Sequence, residues 1–137
     1  MLKVQIITPE RSLPVQDAVH VTMMTVDGEV GIRTGHAPLV AGLKTGCAMV
    51  RGADGKTETW LALRNGSALV LRDEVRIYVE SAVDAATVDV AKIQRQLETL
   101  HSAEAKDDLQ RSRNLDDAAW NQVQLSAAQH LQGQHAH

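Results

Sequence analysis

Phenylalanine is absent, and two tryptophans and one tyrosine are the only aromatic side chains in 137 residues. Any core must therefore be built from Val, Leu, Ile, Ala and Met. The single cysteine, Cys47, excludes an intramolecular disulfide and fits a reducing compartment. Its ordinary reading is a small buried apolar residue. Positive charge is not in excess: the formal net charge is −3, which argues against a nucleic-acid binder and its basic patch. No run approaches the roughly 20 apolar residues of a membrane helix. The start, Leu2-Lys3-Val4-Gln5, alternates instead of opening a signal peptide. There is no internal repeat, no low-complexity tract and no G-x-x-x-x-G-K-[ST] phosphate loop. These absences leave the expectation of a soluble cytoplasmic protein, able to dock onto a membrane complex.

What is present is a globular composition, 44% apolar, and enough chain for one domain or a small domain with an appendage. Eight of the nine glycines and all three prolines precede Asp84, after which Ala, Gln, Asp and Leu dominate. Turn-and-strand chemistry gives way there to helix chemistry, so the expected division is 1–85 and 86–137. In the first part Leu2, Val4 and Ile6 alternate with polar neighbours, as do Val19, Val21 and Met23, and Val75, Ile77 and Val79. Further strands are expected at Ser12–Gln16, Glu29–Ile32, Cys47–Arg51, Thr57–Leu63 and Ala68–Leu71. Turns are expected at Asp54-Gly55, Asn65-Gly66 and Asp73-Glu74. Strands this short, punctuated this often, predict an antiparallel β-sandwich or barrel.

After the boundary the period lengthens. Thr87 is the expected N-cap of a first helix, with Asp89 in its first turn and an apolar stripe of Val90, Ile93, Leu97 and Leu100. Asn114 is expected to cap a second helix, with Asp116 and Asp117 in its first turn. Its stripe would be Leu115, Ala119, Trp120, Val123, Ala127 and Leu131. Between them Lys106–Arg113 is charged, and Gln132–His137 reads as a frayed tail. Two such helices make an antiparallel hairpin too small to stand alone, which must lean on the sandwich or a partner.

Five of the nine glycines and one proline crowd into Asp27–Gly46, DGEVGIRTGHAPLVAGLKTG, which reads as a shaped loop on display. Here the string GEVGI-x-x-GHAPL, followed by L-x-x-G, closely resembles the signature of the epsilon subunit of bacterial rotary ATP synthases. The resemblance implies a flattened sandwich of about ten strands, then a regulatory helical hairpin. It implies a loop facing the membrane c-ring, carried by Asp27, Gly28, Glu29, Gly31, Gly35, His36 and Pro38. Other sandwich surfaces would pack on the gamma subunit, and the hairpin would transiently reach the alpha/beta catalytic head.

Other candidate chemistry is thin. His36 has no recognisable nucleophile or Asp partner around it, so it is read as a turn residue. His130, His135 and His137 have a ligand-like spacing, but on a frayed tail they do not make a metal site. Asn65-Gly66-Ser67 matches a glycosylation sequon that means only a tight turn in a cytoplasmic chain. Some epsilon subunits bind ATP through [IL]-D-x-x-R-A at the first C-terminal helix. Here the chain reads Val88-Asp89-Val90-Ala91-Lys92-Ile93. Asp89 and Lys92 are the candidate ATP contacts, but Lys lacks the planar fork of Arg and Ile is bulky where Ala would let a ligand approach. ATP as a regulatory ligand is therefore not favoured. Lys106, Arg111 and Arg113 are the candidate contacts of a hydrolysis brake, because no Lys or Arg follows Arg113. The resemblance thus implies a non-catalytic rotor subunit without a cofactor. It would lie peripherally on the cytoplasmic face of the bacterial inner membrane and couple proton- or sodium-driven rotation to ATP synthesis. The alternative is a β-sandwich ligand-binding module with a helical oligomerisation hairpin.

Overall fold

Strands form where the apolar alternation is strict. The computed structural model describes residues 1–135. Among these are seven strands: β1 (Leu2–Ile7), β2 (Gln16–Thr25), β3 (Gly28–Arg33), β4 (Leu39–Leu43), β5 (Gly46–Gly52), β6 (Glu58–Leu71) and β7 (Glu74–Asp84). A 3₁₀ turn (Ala85–Thr87) leads to helices α1 (Val90–Ser102) and α2 (Asp108–His135). On β7, Val75, Ile77 and Val79 are buried while Arg76, Tyr78 and Glu80 face outward, the two-residue period of a strand with one wet face. On β2 the inward set is Ala18, Val21, Met23 and Thr25 rather than one begun by Val19. The pairing of β2 with β5 shifts register between Ala18 and His20, and such a bulge moves the inward face by one residue.

The sheet runs β1-β7-β6-β4-β2-β3, with β5 bridging β2 and β6, and β1 also meeting β2. Two long strands do the folding over. β6 pairs with β5 along Glu58–Leu63 and with β4 along Gly66–Val70, while β7 follows its other edge from Leu61 to Leu71. Seven strands therefore do the work for which about ten were expected. The expected Asn65-Gly66 turn is instead a bend inside β6, with Asn65 at φ +35° and unbroken register to β7 on both sides. The expected Ser12–Gln16 strand is reduced to one bridge, Ile7 to Ser12, and β2 begins only at Gln16. The sheet is not wholly antiparallel, since β1 lies parallel to β7. At its far end β6 turns into β7 through Arg72 and Asp73, both at positive φ, the two-residue turn that matches strand twist.

Inside lies an aliphatic core including Leu2, Val21, Met23, Ile32, Val50, Val70, Val75 and Ile77, each at most 1% exposed. No residue of α1 or α2 belongs to that cluster among the described residues. α2 rests on β5, β6 and the 3₁₀ turn, and α1 packs on α2 rather than on the sheet.

The helix ends differ from the sequence expectation for a clear reason. α1 is capped by Asp89, whose carboxylate accepts the Lys92 amide at 3.2 Å, and Thr87 instead ends the 3₁₀ turn. α2 starts six residues before Asn114. Asp107 accepts the Gln110 amide at 2.8 Å and the Gln110 side chain reaches back to accept the Lys106 amide at 3.0 Å, a variant of the capping box displaced by one residue. Leu115 is 68% exposed, so it is not in the stripe. α2 buries one side (Trp120, Val123, Ala127, Leu131) on the sheet and another (Ala118, Leu125) on α1. A helix covered on two sides shows no single clean stripe.

Gly66 has no room for a side chain: an added Cβ would lie 1.9 Å from the Tyr78 carbonyl oxygen. Gly35, at φ +84°, has open space around it and needs Gly only for its backbone conformation. Gly66→Ala should therefore cost more than about 3 kcal/mol, against about 1–2 kcal/mol for Gly35→Ala. Urea unfolding of both variants checks the order.

Candidate functional site

The residues expected to form one displayed loop occupy the two ends of β3. Asp27 sits at the two-residue turn between β2 and β3, where the Thr25 hydroxyl donates to the Gly28 carbonyl at 2.6 Å and accepts the Asp27 amide at 3.1 Å. Gly28 takes φ +120°, which explains glycine there. The Val26 amide donates to the Gly42 carbonyl at 3.0 Å, so β4 braces the turn. Asp27 and Glu29 are exposed, as are Val26 (64%) and Val40 (78%) nearby on β4. This tip is acidic and apolar together.

Gly35, His36 and Pro38 lie at the other end, beyond a six-residue strand spanning about 17–20 Å. There the Gly35 amide donates to the Asp73 carboxylate at 2.7 Å, and the Asp73 carbonyl accepts the Lys3 amide at 2.8 Å. His36 Nδ1 donates to the Ala37 carbonyl at 2.6 Å and its amide to Arg33 at 3.1 Å, so the imidazole stabilises its own turn. Gly31 lies between the two ends, under the ring of His20, whose Nε2 would stand 3.0 Å from an added Cβ. His20 is held below its ordinary pKa by burial, then by Arg33 and Arg51. Asp27, Gly28 and Glu29 are thus brought together, and Gly35, His36 and Pro38 are not brought to them.

Asp89 and Lys92 border an open groove of about 700 Å³ between α1 and α2, shared with Arg95, Gln96, Asn121 and Gln124. The Asp89 carboxylate is engaged as the cap of α1, and Ile93 is buried against Leu125. Bulk at position 93 therefore fills the helix interface.

Lys106, Arg111 and Arg113 are all exposed at the hairpin turn and the first turns of α2. The expectation of a second helix free of cations is corrected, because Arg111 and Arg113 lie within it. Arg111 pairs with Asp108 at 2.8 Å. His130 lies on α2, and the side chain of His135 and all of His137 fall outside the described residues.

The sequence reading missed the contacts that fasten the hairpin. Arg64 of β6 holds Asp117 at 2.8 Å and Asp116 at 3.5 Å, with Glu80 at 3.8 Å. Its pKa is raised, first by the hydrogen bond to Asp117. Trp120 faces the same guanidinium at 6.0 Å. Trp60 stacks on His130, ring centroids 4.3 Å apart, and donates through Nε1 to Glu58, which also binds Arg51 at 3.0 Å. The available signal was an arginine ending the run Leu61-Ala62-Leu63 and the placement of the two scarce tryptophans.

The family model "ATP synthase, Delta/Epsilon chain, beta-sandwich domain" matches residues 1–85. The chain belongs to the ATP synthase delta/epsilon family. The ATP synthase epsilon chains of Staphylococcus aureus strains JH9 and Newman are each 41% identical to it over 92 residues, covering 66% of this chain and 67% of theirs. Its fold is similar to a chain of the Euglena gracilis mitochondrial ATP synthase (TM-score 0.80, 22% identity, 93% of this chain and 80% of that one). It is also similar to one of the Tetrahymena thermophila mitochondrial ATP synthase (TM-score 0.68, 14% identity, 92% and 95%). For this delta/epsilon chain the family model ends at Ala85, whereas the fold likeness covers more than nine-tenths of the chain and so takes in helical residues.

The cap assignment has a direct consequence. Asp89→Ala should destabilise α1 by about 1 kcal/mol, and Lys92→Ala, which leaves the amide donor in place, by well under that. Helical circular dichroism through a urea titration distinguishes them.

Proposed function

We propose that this chain is a non-catalytic central-stalk subunit of a rotary, F-type ATP synthase. The observation that carries the reading is the delta/epsilon sandwich match over residues 1–85, on a chain whose sandwich continues into a two-helix hairpin. The Euglena relative is part of an assembly of OSCP, F1 and c-ring, and the Tetrahymena relative of a central stalk and c-ring. By that likeness the partners are the gamma subunit, the c-ring and, transiently, the alpha/beta head. No helix among the described residues is long and apolar enough to cross a membrane. Association with the membrane complex is then peripheral, on the cytoplasmic face of a bacterial inner membrane. Torque passes through the sandwich as a rigid body, and bond chemistry belongs to other subunits.

Within this reading the c-ring contact is the tip made by Asp27, Gly28 and Glu29. Its support is an acidic, exposed turn braced on two sides by β4 and the Thr25 hydroxyl. Gly31 gives the strand behind it passage beneath His20, and Gly35, His36 and Pro38 hold the opposite end. ATP is not a tight ligand of the α1–α2 groove: the Asp89 carboxylate already caps a helix and Ile93 occupies the interface. Any brake on hydrolysis works through Lys106, Arg111 and Arg113, the exposed cations of the hairpin turn and the first turns of α2.

Affinity capture of the full-length chain from native membranes is the deciding experiment. Gamma and c-ring subunits should co-purify, and a free pool carrying a small ligand would overturn the assignment. Glu29→Gln should weaken c-ring association by under about 1 kcal/mol, the usual size of a surface charge contact. In a reconstituted complex, alanine at Lys106, Arg111 and Arg113 together should relieve inhibition of ATP hydrolysis. Inhibition unchanged by the triple substitution would show that apolar packing of the helices supplies the brake.

A further inference from the structure

The hairpin is joined to the sandwich by a thin apolar layer and one charged residue. The sandwich core is complete without any described helical residue. The interface is a separate cluster whose fully buried members are all alanine: Ala62, Ala85 and Ala127. Around them Cys47, Val83, Val123, Leu131 and the two tryptophans are only partly buried. Alanine contributes little apolar area, so this layer has a small dry centre and depends on its partly exposed rim. Over it Arg64, with its side chain 21% exposed, gathers two carboxylates of α2. Among the described residues Asp116 and Asp117 have no ion-pair partner other than Arg64. Arg113 lies one turn before them without reaching either.

We propose that Arg64 is a latch: its pairing with Asp117 and Asp116 keeps the hairpin on the sandwich, and the hairpin detaches when it is broken while the sandwich stays folded. This goes beyond the rotor assignment, because it concerns how the chain holds itself. The latch is built for release. Guanidinium and carboxylates are all part-exposed, so breaking the pair leaves no buried charge stranded, unlike a fully buried pair. Once detached, α2 loses the sheet that covers one of its sides, and α1, with 13 residues, is marginal alone. Their amides then exchange with solvent while those of the β core do not. The chain also carries its own reporters, because both tryptophans sit in this interface: Trp60 stacked under His130 and Trp120 beside Arg64.

The test uses the isolated full-length chain, so its failure leaves the rotor assignment, judged by co-purification, untouched. Amide hydrogen exchange and acrylamide quenching of tryptophan are measured for the native chain, Arg64→Gln, Asp117→Asn and the double variant. Each single variant should speed exchange in α1 and α2 by about tenfold, as expected for losing a charge-assisted hydrogen bond. Quenching should rise with it, and amides of Val70 and Ile77 should keep their protection. The double variant should add nothing to Arg64→Gln, since removing the guanidinium already breaks the contact that Asp117 makes with it. Asp117→Asn lies on the helix and leaves β6 intact, which keeps the test sound even if Arg64→Gln disturbs the strand. Hairpin exchange unchanged in Asp117→Asn would overturn the latch. Equal acceleration in the β core would also overturn it, because hairpin and sandwich would then open as one unit.

Discussion

Where β6 passes β7 at Gly66 and Tyr78, the two backbones lie too close for any side chain on Gly66. That contact sits at the middle of a pairing that runs without a register shift from Leu61–Asp84 to Leu71–Glu74. The other strands of the sheet take their positions from this ribbon. β7 carries β1 on its outer edge, and β6 carries β5 on its first half and β4 on its second. The bend at Asn65 lets one strand serve both halves of the sheet, so the sandwich closes with few connections. β4 then braces the acidic tip at Asp27, and the first half of β6 presents Arg64 and Trp60 to the helices. The same ribbon therefore positions both surfaces for which a function is proposed.

The strands were legible where alternation alone decided the outcome. Leu2, Val4 and Ile6 in β1, and Val75, Ile77 and Val79 in β7, all face the core. Legibility failed where local chemistry has two structural uses. Asn-Gly is a turn signal because both residues tolerate positive φ, but positive φ also permits a bend within a continuous strand. Asn114 is a good N-cap residue, yet the helix is capped earlier, by Asp107 on the Gln110 amide and by the Gln110 side chain on the Lys106 amide, within a charged run. The parallel pairing of β1 with β7 joins the two ends of the sandwich, and no local pattern encodes so distant a partner. The glycine-rich stretch was expected to be one displayed loop, and although a strand at Glu29–Ile32 was legible within it, the spacing did not reveal that this strand holds Asp27 and Gly35 at opposite ends.

Scarcity of aromatic residues made those that remain informative. In a chain with no phenylalanine, the aliphatic core shows that large rings are not required for a well-filled sandwich. Both tryptophans are instead placed where the helices meet the sheet, each beside a polar group. Trp60 reaches Glu58 through its indole N–H and lies flat on His130, and Trp120 lies beside Arg64. An amphipathic ring suits an interface that is apolar on one side and open to water on the other. Valine or leucine in those places would cover less of the interface and could not bind the charged network at its margin.

The two halves of the molecule consequently differ in what would be needed to separate or deform them. Deforming the sandwich means breaking the β6–β7 ladder and exposing side chains such as Val70, Val75 and Ile77, all fully buried. Separating the hairpin means exposing three alanines and a fringe of half-buried side chains, and rehydrating charges already partly in water. Apolar burial scales with area, so the first costs far more than the second. In the proposed function, transmitting torque would draw on the first property and a change of hairpin position on the second. The sequence places the boundary between them where glycine and proline give way to alanine and glutamine, and among the described residues the ion pairs that cross that boundary all meet at Arg64.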